Sequence, residues 1–275
     1  MIANLRHQFV LELKRALYGQ HGEPYRIEGH TLRYLPGTRP VRQRYSRSQN
    51  GVARYDALQV AWLCTHLKEG DTTVDIGAHW GVYTILMAAK CGQTGHVVAF
   101  EPDPYAREVL VKNLSLNPII KRPTVEVCAC SDEIGEAVLF SRGGNSQSSL
   151  ARSAVEFSAA HKPEEIRVPL VTLDSYLSER NLPQLRCVKI DAEGAEIRIL
   201  KGAKQVLSSN ANLVCELHPY AWPEFGNTLG ELKDLAAAAG RRIRYLDQDA
   251  EIGDQAEYGT VLLERYPFQN PSLRF

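Results

Sequence analysis

The sequence predicts an α/β fold in which helices cover both faces of a seven-stranded, mostly parallel sheet with one antiparallel strand. From Asp71 onward, short β-branched or apolar runs alternate with helical stretches, which is typical of a parallel sheet buried on both faces. Near the C-terminus, Ile243–Leu246 and Thr260–Glu264 fit a terminal antiparallel pair, which supplies the reversed strand. The 275 residues divide into a small cap at 1–55 and a main domain at 56–275.

The cap is predicted to contain a helix and a small hairpin. Apolar residues recur at near-helical spacing over Met1–Gly19, and Leu35-Pro36-Gly37 marks a turn. The first segment lacks the uninterrupted apolar stretch and the small-residue cleavage site of a secretion signal. We expect this helix to pack on the domain or on a second subunit, which leaves a homo-oligomer open; the alternative for a basic amphipathic helix is a position on a membrane surface.

The strands and helices of the main domain follow from local pattern. Strands are predicted at Thr73–Asp75, Val97–Phe100, Thr124–Cys130, Arg186–Asp191 and Asn212–Leu217. Helices are predicted at Gly81–Ala89, Pro104–Leu116, Gly194–Leu207 and Leu229–Ala239. A further strand at Gly135–Leu139 pairs back after a turn, and Arg142–Ser149, rich in glycine and serine, resembles a mobile loop at a substrate edge.

Composition excludes several classes of protein. Hydrophobic residues make up 44% and charged residues 23%, and the longest apolar runs are far shorter than the roughly 20 residues of a membrane span. A net charge of zero argues against a nucleic-acid partner. Six cysteines without a C-x-x-C pair indicate reduced core thiols and a cytoplasmic location.

One local cluster of basic residues departs from this balance. The segment between Arg33 and Arg54 contains no acidic residue. Its arginines are Arg33, Arg39, Arg42, Arg44, Arg47 and Arg54. They could bind phosphate or carboxylate groups of a substrate, or form a solvated face with salt bridges to acidic helices.

The most specific local motif is a strand that ends in an acid and turns through glycine into a helix. Asp75, Gly77 and Gly81 form the pattern D-x-G-x-x-x-G, whereas a dinucleotide site requires G-x-G-x-x-G and here has His79 at its second glycine. The acid suits a cationic sulfonium better than a pyrophosphate. The alternative is that both glycines only serve the turn.

Acids at the ends of the next two strands support a nucleotide site. Glu101 follows the second strand, 26 residues after Asp75, about where an acid accepts hydrogen bonds from both ribose hydroxyls. Ser131 and Asp132 end the third strand, where adenine normally lies, although these residues also suit a plain turn.

These residues resemble the FkbM family of S-adenosylmethionine-dependent methyltransferases. The resemblance is carried by DIGAHWGVYT, AFEPDP, NLSLN, Ser131-Asp132 with Gly135, VTLD and KIDAEGAE, in the family's order between about Gly70 and His218. It implies a Rossmann-like class I methyltransferase fold and O-methylation of sugars and other hydroxylated metabolites. The family usually has asparagine where this chain has His79.

The cofactor implied by this resemblance is S-adenosylmethionine. The residues assigned to its binding are Asp75, Gly77, Ala78, His79, Gly81, Tyr83, Thr84, Glu101, Pro102, Ser131, Asp132 and Asp191.

The candidates for activating an acceptor hydroxyl lie at the ends of the fourth and fifth strands. Lys189 and Asp191 share one face, Glu193 opens the next helix, and Glu216 and His218 share a face beside Asp191. A neutral His218 could accept the hydroxyl proton while a carboxylate orients its other nitrogen.

Two alternatives to histidine base catalysis stay open at this point. Asp191, Glu216 and His218 could instead hold magnesium or manganese, although we do not expect a metal. The cluster could also only brace the loops around it.

The expected partner is therefore a hydroxylated small molecule, a sugar or a glycan. If the arginine cluster contacts this substrate, we expect the substrate to be phosphorylated or acidic. An RNA methyltransferase would share the fold, but the chain lacks both net positive charge and an N-P-P-Y type motif for a flipped base. A protein that binds the cofactor without catalysis would share the nucleotide pocket.

Overall fold

The computed structural model describes residues 2–27, 29–38, 52–143, 148–155, 162–180, 182–248 and 250–265. Within these ranges the helices are α1 (Ile2–Tyr18), α2 (Val52–His66), α3 (Val82–Cys91), α4 (Pro104–Ser115), α5 (Arg152–Val155), α6 (Leu173–Ser178), α7 (Glu196–Lys201), α8 (Lys204–Ser208) and α9 (Leu229–Ala238), with a 3₁₀ helix at Trp222–Phe225. The strands are β1 (Glu23–Ile27), β2 (His30–Tyr34), β3 (Thr72–Ile76), β4 (His96–Phe100), β5 (Thr124–Glu126), β6 (Ala129–Cys130), β7 (Gly135–Ser141), β8 (Glu164–Val171), β9 (Leu185–Ile190), β10 (Asn212–Leu217), β11 (Arg241–Tyr245) and β12 (Gly259–Arg265).

The central sheet has seven strands in the order β11-β12-β10-β9-β3-β4-β5. Strand β12 runs antiparallel to both of its neighbours, and the other pairs are parallel. The predicted sheet and its single reversed strand are thus confirmed. The chain crosses from β3 to β4 on one side and later returns to β9 on the other, so ligands are expected beyond the carboxyl ends of β3 and β9.

Two apolar layers cover the sheet, one on each face. Val74, Ile76 and Ile190 point into the layer built with α6, α7, α8 and α9. The opposite face packs against α2 and α3 through residues such as Leu63 and Met87. Side chains alternate between faces along a strand, so Asp75 and Lys189, opposite each other in register, share the second face.

The predicted strand Thr124–Cys130 is wrong as a single element. It divides into β5, which pairs with β4, and β6, which pairs with β8 in a separate three-stranded sheet of order β6-β8-β7. The chain changes sheets at Val127, whose side chain is exposed. Sequence analysis also missed β8, which forms a seven-residue antiparallel register with β7 over Gly135–Ser141.

The predicted helix Gly194–Leu207 is likewise divided, into α7 and α8. Gly202 caps the C-terminus of α7, and only glycine fits there because a Cβ atom would lie 2.0 Å from the backbone oxygen of Ser131. The carboxylate of Asp174 then accepts hydrogen bonds from the backbone N–H groups of Gln205 and Val206, which begins α8 as a new helix.

The N-terminal region contains the predicted helix and hairpin, and Thr38 N–H donates to Leu35 in the predicted turn. The division of the chain at residue 55 stays a prediction. One face of α1 is exposed to solvent and carries Phe9, Val10, Leu13 and Leu17.

The arginine cluster is only partly described. Arg33 donates to the carbonyls of His21 and Gly22, both at 3.1 Å. Arg39, Arg42, Arg44, Arg47, the side chain of Arg54 and the middle of the Arg142–Ser149 loop, 144–147, lie outside the described residues.

The cysteines agree with the sequence expectation, since all six are buried and none of the six is in a disulfide. In the described part of the chain, no helix has both the length and the apolar character needed to cross a bilayer.

Candidate active site

The loop after β3 brings the backbone of two strands into close contact. Gly77 has φ 77°, and a Cβ atom there would lie 1.7 Å from the backbone oxygen of Asp191 at the end of β9. The N–H groups of Gly77 and Ala78 both donate to the carbonyl of Phe100 at 3.0 Å. Only glycine permits this approach, so the motif holds the ends of β3, β4 and β9 together.

The same geometry accommodates histidine at this position of the motif. His79 adopts a left-handed backbone with φ 49°, a conformation that asparagine, aspartate and histidine tolerate better than most residues. Its N–H donates to Glu101 at 2.5 Å, and its ring stacks on Trp80. Histidine therefore fits the backbone conformation of the loop.

Glu101 is buried at the end of β4, where sequence analysis placed the ribose-binding acid. One oxygen accepts from His79 and the other accepts from Asp103 N–H at 2.8 Å. Burial raises the pKa of Glu101 to about 7, against the opposing effect of these hydrogen bonds. Each carboxylate oxygen keeps lone-pair capacity for a further donor.

Asp75, expected to contact the cofactor, is instead buried behind the strand ends. Its carboxylate is fully buried, accepts from Thr84 Oγ1 at 2.6 Å and lies 3.5 Å from Lys189 Nζ. Lys189 also contacts Asp191 at 3.3 Å, and its ammonium lies 4.7 Å from the centroid of the Tyr83 ring. Burial lowers the pKa of Lys189, but the neighbouring carboxylates outweigh burial and raise it, so the buried lysine is charged. Asp75 and Lys189 thus brace the two strands behind the site.

A cleft opens at the carboxyl ends of β3, β4 and β9, and we call it the cofactor cleft. It is lined by Ile76, Gly77, Phe100, Glu101, Pro102, Ala129, Cys130, Leu139, Ser148, Ser149, Leu150, Asp191, Ala192, Ala195 and Ile199. Ser131 and Asp132, expected here, are not among these lining residues. Asp132 instead accepts from Arg198 Nε at 2.7 Å. Ala129 and Cys130 line the cleft in their place.

Beyond this cleft, His218 lies at the end of β10 with 2% of its surface exposed. Its Nδ1 is 2.9 Å from Glu196 Oε1, and Trp222 Nε1 donates to the other oxygen of Glu196 at 2.9 Å. Sequence analysis missed Glu196 as a site residue, because an acid in the first turn of a helix also suits the helix dipole. The signal that could have found it is its complete burial, which sequence alone does not show.

The other nitrogen of His218 faces two carboxylates at the entrance of the site. Nε2 is 3.5 Å from Glu193 Oε2 and 4.0 Å from Asp191 Oδ1. We call Asp191, Glu193 and His218 the acceptor cluster; one potential ligand atom from each lies within 4.8 Å of the others. Glu193 has φ 48°, a strained conformation of the kind found at functional sites.

Glu216 does not join the acceptor cluster as predicted. Its carboxylate accepts a hydrogen bond from the hydroxyl of Tyr258. The structure therefore replaces the predicted group Asp191, Glu216 and His218 with one that contains Glu193, because the turn after β9 folds Glu193 back toward the histidine.

The electrostatics of the cluster differ from those of a neutral histidine base. Burial lowers the pKa of His218, but Glu196, Glu193 and Asp191 outweigh it and raise the value to about 10. Burial raises the pKa of Asp191, but Lys189 and His218 outweigh it and hold the value low. Burial raises the pKa of Glu193 and of Glu216 to about 7. At neutral pH His218 therefore carries a proton, and Glu193 titrates.

Comparison with protein families agrees with this geometry. A model described as the methyltransferase FkbM domain matches residues 75–243. The chain is 27% identical over 205 residues to 31-O-demethyl-FK506 methyltransferase FkbM of Streptomyces tacrolimicus, covering 66% of this chain and 72% of that protein. It is 25% identical over 163 residues to hexuronic acid methyltransferase AglP of Haloferax volcanii, covering 57% of this chain and 59% of that protein.

A solved structure is also similar. The methyltransferase FkbM from Methylobacillus flagellatus superposes with a TM-score of 0.47 and 17% identity, over 82% of this chain and 47% of that one.

Proposed function

The chain belongs to the FkbM methyltransferase family, and we propose that it transfers a methyl group from S-adenosylmethionine to a hydroxyl group of a small molecule, a sugar or a glycan. The observation that carries this proposal is the position of the acceptor cluster beside the cofactor cleft, with Asp191 belonging to both. One relative is named for methyl transfer to 31-O-demethyl-FK506 and another for methyl transfer to a hexuronic acid, and the first of these names supports an oxygen acceptor.

Two features of the cofactor cleft support binding of S-adenosylmethionine. Glu101 offers a carboxylate that can accept hydrogen bonds from ribose hydroxyls, and Gly77 lines the cleft where its backbone packs closely against that of Asp191. Asp191 places negative charge at the junction with the acceptor cluster, where a sulfonium would be stabilised. When bound, the cofactor would supply an electrophilic methyl group, which an acceptor oxygen would take by in-line attack on the methyl carbon while S-adenosylhomocysteine leaves.

The acceptor cluster would remove the proton of the hydroxyl. We assign proton acceptance to Glu193 rather than to His218, because carboxylates on both ring nitrogens keep the histidine protonated. A carboxylate whose pKa lies near 7 suits a general base at neutral pH. Charged His218 then attracts the carboxylates of Glu193 and Asp191, its single Nε2–H can donate to the acceptor oxygen, and Glu196 holds the ring through Nδ1.

A divalent ion is the second candidate for activating the hydroxyl. Asp191, Glu193 and His218 could coordinate it through their nearby ligand atoms, with Glu196 orienting the histidine from behind. The ion would displace the proton of His218 and lower the pKa of the bound hydroxyl. Unchanged methyl transfer in the presence of EDTA would remove this route.

Methyl transfer itself tests the proposal. We would incubate the protein with S-adenosylmethionine labelled in its methyl group and a panel of sugars, glycans and alicyclic alcohols. Label recovered in an ether that resists mild base is the expected result, since base cleaves a methyl ester. Transfer only to nitrogen, carbon or carboxylate acceptors, or no transfer by protein that binds the cofactor, would contradict O-methylation.

A further inference from the structure

Two tyrosine rings flank His218 at the solvent side of the acceptor cluster. Tyr220 follows β10 and Tyr258 precedes β12, and each is 45% exposed. Their ring centroids lie 5.8 Å and 5.3 Å from the centroid of the buried histidine ring, with interplanar angles of 89° and 61°. Two half-exposed aromatic rings thus stand beside the group that would receive the reacting hydroxyl.

Hydrogen bonds hold both rings in place. Tyr220 donates its hydroxyl to Glu193 Oε2 at 3.0 Å, and Tyr258 donates to Glu216. Burial and the adjacent carboxylates raise the pKa of both phenols, so they stay neutral donors. A tyrosine fixed at its hydroxyl offers a rigid apolar surface at little further loss of side-chain entropy on binding.

Acidic side chains outnumber basic ones around these rings. Asp191, Glu193 and Glu216 face this region, and the nearby cations His218 and Lys189 are each already paired with carboxylates. An anionic group on the reacting ring would meet like charge there, whereas a neutral or cationic ring would not.

We propose that Tyr220 and Tyr258 form the recognition surface for the acceptor, and that they select a neutral or cationic saturated ring, such as a hexose, an amino sugar or a cyclohexanol. The apolar C–H face of such a ring would lie on an aromatic face while its equatorial hydroxyl reaches Glu193. This inference rests on the proposed function, because it specifies the acceptor of that reaction.

The test measures ring binding without turnover. With S-adenosylhomocysteine and EDTA present, saturation-transfer NMR would compare the methyl glycosides of glucose, glucosamine and glucuronic acid, which share one ring and differ in charge. We expect saturation of the axial ring hydrogens of the first two, and about tenfold weaker binding of the glucuronide. A glucuronide that binds as well as or better than the glucoside, as an enzyme for hexuronic acids would require, overturns the charge selection.

Matched variants test the aromatic contact. Tyr220→Leu and Tyr258→Leu keep apolar volume but lose the aromatic face, whereas Tyr220→Phe and Tyr258→Phe keep it. We expect about tenfold weaker binding of the glucoside in each leucine variant and less than about threefold in each phenylalanine variant, with S-adenosylhomocysteine affinity unchanged in all four. Equal binding by leucine and phenylalanine variants, or no glycoside binding by the wild type, overturns the proposal. Methyl transfer without ring contact contradicts only this inference, and ring contact without methyl transfer contradicts only the proposed function.

Discussion

His218 shows how burial and neighbouring charge decide the role of a residue that sequence alone identifies. Its position two residues after Glu216 on one strand face suggested a neutral base. In the structure Glu196 contacts one ring nitrogen and Glu193 the other, so the ring is held as a cation. The proton-accepting role therefore passes to a carboxylate whose own pKa is raised by burial.

The charge on His218 can be measured directly. Glu196→Gln keeps an acceptor for the histidine but removes the charge, so we expect the pKa of His218, followed by NMR of its ring, to fall from about 10. Because the folded pKa exceeds the unfolded value of 6.5, the ion pair stabilises the fold fully below pH 6.5, and this stability is lost as pH rises toward 10. The difference in unfolding free energy between the wild type and Glu196→Gln should therefore decrease as pH rises from 6.5 toward 10.

Glu133→Gln is the matched control, because Glu133 contacts Arg198 at the surface and not the histidine. It should leave the titration of His218 unchanged. A wild-type His218 that titrates at or below 6.5 would contradict the assignment of Glu193 as the proton acceptor.

Gly77 supports a second prediction at this scale. Gly77→Ala places a Cβ atom against the backbone of Asp191 in a left-handed conformation, so we expect a loss of more than about 3 kcal/mol in unfolding free energy and weaker S-adenosylhomocysteine binding. Gly253→Ala has no atom within 4 Å of the new Cβ and should change stability by less than about 0.5 kcal/mol. Urea denaturation compares the two, and equal stability would refute the close approach.

At the scale of elements, the segment after β7 connects the two halves of the site. Asp103 caps α4 through one oxygen, and its other oxygen accepts from Ser141 and Ser148, both at 2.6 Å. The next residue, Ser149, donates to the carbonyl of Glu193 at 2.6 Å. The residue that caps α4 thus also holds Ser148, which lines the cofactor cleft, and the adjacent Ser149 contacts Glu193 of the acceptor cluster.

Asp103→Ala tests this connection, with Thr228→Ala as its control. Both variants remove a side-chain cap, of α4 and of α9 respectively, and each should cost about 1 kcal/mol or more in stability. Only Asp103→Ala should speed hydrogen exchange at 141–143 and 148–151 and weaken S-adenosylhomocysteine binding. Equal hydrogen-exchange rates at 141–143 and 148–151 in the two variants would show that these residues are held independently of the α4 cap.

The sequence predicts those elements whose structure depends on local pattern. Strands β3, β4, β9 and β10 carry apolar runs bounded by turns, and the glycine motif specifies its own backbone. The sequence does not reveal that Val127 switches sheets or that Gly202 must approach Ser131, because these are contacts between distant segments. Tyr258 reaches the site for the same reason, from a chain position with no local signature of function. Glu196 ends the KIDAEGAE motif, but only the fold shows that it contacts His218.

At the scale of the whole molecule, the order of the strands creates the site. The chain leaves the centre of the sheet in both directions from β3 and β9, so the cofactor cleft forms where their carboxyl ends separate. The acceptor cluster lies between the carboxyl ends of β9, which Asp191 and Glu193 follow, and of β10, which His218 follows. Tyr258, just before the reversed strand β12, contacts the ring of His218. Cytoplasmic location, oligomeric state and the role of the arginine cluster stay predictions.

The most direct test of this account is calorimetric binding of S-adenosylhomocysteine and NAD to the wild type, Glu101→Ala and the exposed control Glu136→Ala, each checked for folding by circular dichroism. The account predicts that wild type and control bind S-adenosylhomocysteine and not NAD, and that Glu101→Ala loses this binding. Folded wild-type protein that fails to bind S-adenosylhomocysteine, or that prefers NAD, would contradict the central claim.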